Sequence, residues 1–136
     1  KHQECSPWDI EMIYGTGLDI IEIKRIKNSL EKYSTRFENK VFTDIEIDYC
    51  QSQADPGKHF AARFAVKEAV SKSLGTGITG DVGFKDIEIV NQESGKPIVR
   101  MIGRGRKLFE KLKLKSIHIS ISHDRHYAIA HAIAEQ

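Results

Sequence analysis

Glu68 and Lys72 stand one helical turn apart in FAVKEAVSKSLGTG, residues 64–77, a stretch otherwise rich in Phe, Ala, Val and Leu. Wound at about 100° per residue, Ala61, Ala65, Glu68 and Lys72 fall on one stripe, with Phe64 beside it. Phe60, Val70 and Leu74 cover a second side and Ala62, Val66 and Ala69 a third, so this reads as a central helix. A buried lone carboxylate would cost several kcal/mol, so Glu68 needs a cation. The plain alternative is an exposed Glu–Lys pair worth about 0.2–0.5 kcal/mol. The flanking alanines argue against exposure and leave room for a backbone or a ligand.

Asp19 is the second acid, in the strand-like IYGTGLDII of residues 13–21. Ile13, Gly15, Gly17 and Asp19 share one face of that strand, and the two glycines should leave open space beside the carboxylate. Asp19 could simply cap the following helix. Paired with Glu68 it could instead hold a hard divalent ion. Mg²⁺ takes one or two protein carboxylates, keeps waters and completes its shell with phosphate oxygens. Gly75-Thr76-Gly77 ends the helix, and beyond capping it could turn backbone N–H groups toward an anion. The Walker A pattern is absent. His123 closes the alternating SIHISISH, on the side of Ile117, Ile119 and Ile121. A histidine there either satisfies a core or donates to a phosphate or base.

The elements that must position these groups are mixed. A strand over 13–21 leads to a helix from Glu22 to about Lys32. Thr43 followed by Glu46 is a capping box opening a short helix to about Gln51. Asp55-Pro56-Gly57 is a turn, and the long helix spans about His59 to Leu74. DIEIV (86–90) and PIVRM (97–101) form a hairpin around Glu93 to Lys96. A basic amphipathic helix over 104–114 precedes strands 116–123 and 127–134. Hairpins without regular βαβ repeats predict an α+β fold, a small antiparallel-rich sheet on a long central helix.

A chain of 136 residues suits one domain. Residues 12–136 are expected to form it, with 1–11 an artificial remnant or a disordered arm. No apolar run is long enough to span a membrane. Cys5 and Cys50 lack metal spacing and read as free thiols in a reducing cytosol. The net charge is only +2, but residues 100–115 carry seven Lys/Arg against one Glu, and 22–40 six against three. Such surfaces are solvated faces or attract acidic partners.

Three segments, GTGLDIIEIKRI (15–26), FAARFAVKEAVSKSLGTG (60–77) and SISHDRHYAIAHAI (120–133), together resemble the holo-[acyl-carrier-protein] synthases. These are the short bacterial 4′-phosphopantetheinyl transferases. The resemblance runs from Met12 to the C-terminus and implies the 4′-phosphopantetheinyl transferase-like fold. It also implies a reaction: 4′-phosphopantetheine passes from coenzyme A to a serine of apo-acyl carrier protein, releasing adenosine 3′,5′-bisphosphate, in cytoplasmic fatty-acid synthesis. By this resemblance Asp19 and Glu68 ligate Mg²⁺, and Lys72 neutralises phosphates. Gly75, Thr76 and Gly77 adjoin the coenzyme, as do His123 and the turn Gly95-Lys96-Pro97. The helix bearing Arg25 docks an acidic carrier protein, with Lys32 and Arg36 as further contacts. The base stays open, a metal-bound water relayed by Glu68 or Glu46 being the route considered. Small members are homotrimers with sites at subunit interfaces.

Two other classes compete. An RNA-associated module could use residues 100–115, but the strand faces carry Ser and His rather than stacking aromatics. A metal-dependent nuclease would want more clustered acids for two metals.

Overall fold

The computed structural model describes residues 12–136; the expectation for 1–11 lies outside the described residues. Strand β1 (Ile13–Glu22) passes straight into α1 (Ile23–Tyr33), followed by α2 (Thr35–Val41) and α3 (Asp44–Gln51). Helix α4 (Pro56–Ser73) is the longest element. A 3₁₀ turn (Phe84–Asp86), the hairpin β2 (Ile87–Asn91) and β3 (Pro97–Met101), α5 (Gly103–Lys111), β4 (Ser116–His123) and β5 (Tyr127–Glu135) complete the chain. α4 begins earlier than its apolar pattern suggests, because Pro56 sits in its first turn, where a missing N–H costs nothing. α2 carries no helix signal strong enough to read from sequence; it follows a kink at Ser34, whose φ is 50°.

The main sheet is antiparallel in the order β1-β5-β4, and β2 and β3 form a separate pair. α4 crosses the main sheet unusually closely. Ala128, Ala130, Ala132 and Ala134 of the central strand are fully buried against it. Gly15 and Gly17 of β1 lie on the backbone of α4: a Cβ on Gly17 would stand 1.8 Å from the Ala69 carbonyl oxygen. These glycines therefore fill no ligand space. The expectation of an opening beside Asp19 is corrected, because the helix occupies it. Ile117, Ile119 and Ile121 are half-buried on the helix side. Among the described residues nothing covers the outer face of the sheet, and Leu18 and Ile20 there are each 59% exposed.

On the other flank of α4, Phe42 and Phe60 pack within the core with ring centres 4.9 Å apart and planes inclined at 58°. Beside them lies a buried ion pair. Glu46 Oε1 is 2.8 Å from Lys67 Nζ, with neither side chain exposed. Glu46 also accepts from Thr43 N at 2.9 Å and Ile89 N at 2.8 Å. Lys67 donates to the carbonyls of Phe84 (2.9 Å) and Ile87 (2.5 Å). The capping carboxylate thus ties α3, α4 and β2 together. Burial pulls the Lys67 ammonium below its ordinary pKa, and Glu46 opposes that.

Candidate active site

β1 and α4 run side by side, which carries Asp19 to the helix. Lys72 Nζ donates to Asp19 Oδ1 at 3.1 Å and to the Leu18 carbonyl at 3.0 Å. The Lys72 side chain is 49% exposed and that of Asp19 16%. Glu68, one turn back along α4, is partly buried and has no hydrogen bond or ion pair with the described residues. Its carboxyl is held above the ordinary range, first by burial and then by the charge of Asp19; Lys72 and Arg25 pull it back. Asp19, Glu68, Lys72 and Arg25 therefore share one field. An unpartnered carboxylate beside a second acid fits a divalent oxygen-binding ion that keeps open positions. Among the described residues no group of three His, Cys, Asp or Glu could hold a metal by itself. Two carboxylates without Cys or His suit a hard ion such as Mg²⁺ rather than zinc.

The Gly75-Thr76-Gly77 loop caps the helix as its sequence suggests, but does not turn its backbone toward an anion. Its N–H groups are spent on the last turn of α4. Gly75 N donates to Lys72 O (3.0 Å), and Thr76 N and Gly77 N both donate to Ser71 O (3.2 and 3.1 Å). They cannot be aimed at an anion, so positive charge at this helix end comes from Lys72. Gly75 (φ 81°) and Gly77 (φ 63°) need glycine for their left-handed backbone, and none of the described residues lies within 4 Å of the missing side chains. They leave a smooth surface beside Lys72.

The remaining expected residues fall elsewhere. Asp19 pairs with Ala130, which pairs with Ile121, whereas His123 pairs with Ala128. Asp19 and His123 thus sit on opposite edge strands, on the order of 10 Å apart across two strand spacings. His123 acts electrostatically on His59, nine residues before Glu68 and so on the opposite side of α4. One copy of the chain does not bring His123 to Glu68.

Around His59 lies a second cationic cluster that the sequence reading missed. Arg63 is only 4% exposed. Its Nη2 donates to Asn91 Oδ1 at 2.8 Å, its guanidinium lies 4.2 Å from the Tyr49 ring centre, and its buried Nε has no partner among the described residues. Burial, then Arg63, hold His59 below its usual pKa. Asn91 Nδ2 in turn reaches Gly95 O at 3.4 Å, so Gly95-Lys96-Pro97 belongs to this cluster. The available signal was an arginine flanked by Ala61, Ala62, Phe64 and Ala65 in the apolar part of the helix.

Glu46 is withdrawn as a base, because it is fully buried in the core with both carboxylate oxygens engaged, by Lys67 and two backbone donors. On α1, Arg25 and Lys32 line a shallow groove of about 360 Å³ with Glu22, Asn28, Ser29 and Tyr33. Lys32 and Arg36 both lie over the Tyr33 ring, 5.3 and 5.6 Å from its centre.

Comparison with known proteins places the chain in a family. Residues 15–132 match the 4′-phosphopantetheinyl transferase superfamily. A holo-[acyl-carrier-protein] synthase of Halothermothrix orenii is 44% identical over 92% of this chain and 99% of its own. The crystal structure of the Neisseria meningitidis synthase superposes with a TM-score of 0.87 at 34% identity, covering 92% of this chain and all (100%) of that one. The Helicobacter pylori synthase in complex with coenzyme A gives 0.79 at 29% identity, over 88% and 98%. The chain belongs to the 4′-phosphopantetheinyl transferase superfamily and, within it, to the holo-[acyl-carrier-protein] synthases.

Proposed function

We propose that the chain transfers 4′-phosphopantetheine from coenzyme A to a serine of apo-acyl carrier protein, releasing adenosine 3′,5′-bisphosphate, in cytoplasmic fatty-acid biosynthesis. The observation that carries this reading is the unpartnered Glu68 carboxylate beside Asp19 and Lys72, next to the basic α1. The serine oxygen forms a bond to the β-phosphorus, the bridging pyrophosphate bond breaks, and the serine proton leaves to a base. Asp19 and Glu68 would hold Mg²⁺, which when bound supplies charge neutralisation on the pyrophosphate. Lys72 adds positive charge at the same place, and the bare Gly75–Gly77 surface lets the coenzyme approach. Arg25, Lys32 and Arg36 attract an acidic carrier protein.

The two cationic regions face apart, so a coenzyme long enough to touch both must lie between copies. Asp19, Glu68 and Lys72 would come from one copy, and His59, Arg63, His123 and the Gly95–Pro97 turn from the next. We propose a homotrimer closed through the exposed outer face of the main sheet, where Leu18, Ile20 and Ile129 await cover. Titrating coenzyme A and a generic RNA with and without Mg²⁺ tests the reading. Mg²⁺-enhanced coenzyme A binding without RNA binding supports it. RNA binding that ignores Mg²⁺ would favour the binding-module alternative, and Mg²⁺-dependent RNA cleavage would favour the nuclease.

A further inference from the structure

The Lys72 ammonium lies on the carboxylate that the proposed metal needs. It is held by Asp19 Oδ1 at 3.1 Å and by the Leu18 carbonyl at 3.0 Å. Glu68, the other proposed ligand, is not paired with it. One acid is therefore open to a cation and the other is already engaged. The lysine side chain is half exposed at the last turn of a helix, beside two glycines with empty space around them, so it can turn outward without repacking the core.

We propose that Lys72 is a displaceable counter-ion for Asp19 that couples metal binding to coenzyme binding. This rests on the proposed metal site at Asp19 and Glu68. Without coenzyme, a divalent ion must displace the ammonium from Asp19 and tolerate its charge nearby, so it binds weakly. A pyrophosphate beside the helix end offers Lys72 a better partner. As the lysine moves onto phosphate, Asp19 is released to the ion. The coupling is reciprocal by thermodynamic necessity: the coenzyme tightens the metal by the factor with which the metal tightens the coenzyme. Lys72 then does two things in sequence, keeping Asp19 neutralised in the resting chain and neutralising phosphate in the loaded one.

Direct binding of Mn²⁺ to the full chain, read by the loss of its free paramagnetic resonance signal, tests this without turnover. Lys72→Met keeps the apolar stem and removes the ammonium. Without coenzyme it should bind Mn²⁺ about two- to fivefold tighter than wild type, the worth of one partly exposed ion pair. Arg25→Gln removes a charge that acts on Glu68 without touching Asp19, and should change Mn²⁺ affinity less. Raising the salt concentration should erase the Arg25 effect first, because its interaction is not a contact. Saturating coenzyme A should tighten Mn²⁺ in wild type, and by a smaller factor in Lys72→Met. Equal or weaker coenzyme-free binding in Lys72→Met, with binding still abolished by Asp19→Asn, overturns the coupling and leaves the metal site standing. Unchanged Mn²⁺ binding in Asp19→Asn overturns both.

Discussion

The α-carbon of Gly17 lies so close to the Ala69 carbonyl that an added Cβ would stand 1.8 Å from its oxygen. Two residues earlier, a Cβ on Gly15 would meet Ser73 O at 2.2 Å. Both obstacles are backbone, so no side chain can move aside. Gly17→Ala must push β1 off α4 and should destabilise the fold by about 1–3 kcal/mol or more. It should also cost activity, because Asp19 rides on β1 and Glu68 on α4. Gly75→Ala meets no atom but keeps a positive φ, so its cost should be nearer 1 kcal/mol. Urea unfolding midpoints rank the two; equal losses would contradict the contact.

The core ion pair makes a prediction independent of the site. Lys67→Met leaves Glu46 buried without its cation and should cost about 3–5 kcal/mol. Adding Glu46→Gln removes the stranded charge while keeping an acceptor for one of the two backbone donors, so the double variant should recover part of that loss. Thermal unfolding of the four-membered cycle checks it. Strictly additive losses would mean that the two side chains do not interact.

Glu68 should trade stability for function. Its carboxyl is held above the ordinary value of 4.5 by burial and then by Asp19, so the ionised form is penalised in the folded state. That penalty is complete above the raised folded pKa and absent once both states are protonated, below 4.5. Metal-free Glu68→Gln should therefore melt a few degrees above wild type at neutral pH. The gap should close as pH falls toward 4.5. Mg²⁺ should raise the Tm of wild type and not of the variant. A Glu68→Gln protein less stable than wild type at neutral pH would contradict this environment.

Arg25 links the acidic site to the proposed docking face, since its charge acts on Glu68 and it lines the groove on α1. Arg25→Glu should raise the KM for carrier protein severalfold and leave that for coenzyme A nearly unchanged. Attraction between a basic helix and an acidic partner is screened over about 8 Å at physiological salt. The wild-type carrier KM should rise with salt, and the variant's should rise less. A change confined to the coenzyme A KM would move docking away from α1.

The parts legible in the sequence are those set by local geometry. One stripe of α4 holds Glu68 and Lys72 because helical periodicity puts them there, and the Thr43–Glu46 capping box forms as its spacing requires. The alternation of β4 places its isoleucines inward. What could not be read depends on which distant backbone arrives. Gly15 and Gly17 accommodate a helix, not a ligand, and that is decided by residues more than fifty positions away. The N–H groups at 75–77 turn back on α4 because its last carbonyls need donors. Glu46 looks like a simple cap until Lys67 and Ile89 converge on its carboxylate. The separation of His123 from Glu68 follows from strand order, which spacing along the chain does not encode.

Intact-mass spectrometry of an apo-acyl carrier protein incubated with this chain, coenzyme A and Mg²⁺ tests the central claim most directly. The account predicts a mass gain of one phosphopantetheine per carrier and equimolar release of adenosine 3′,5′-bisphosphate. The gain should disappear with a chelator and in Asp19→Ala and Glu68→Gln, which remain folded. An unmodified carrier with folded wild-type chain, or full modification by either variant at ordinary Mg²⁺, would contradict it.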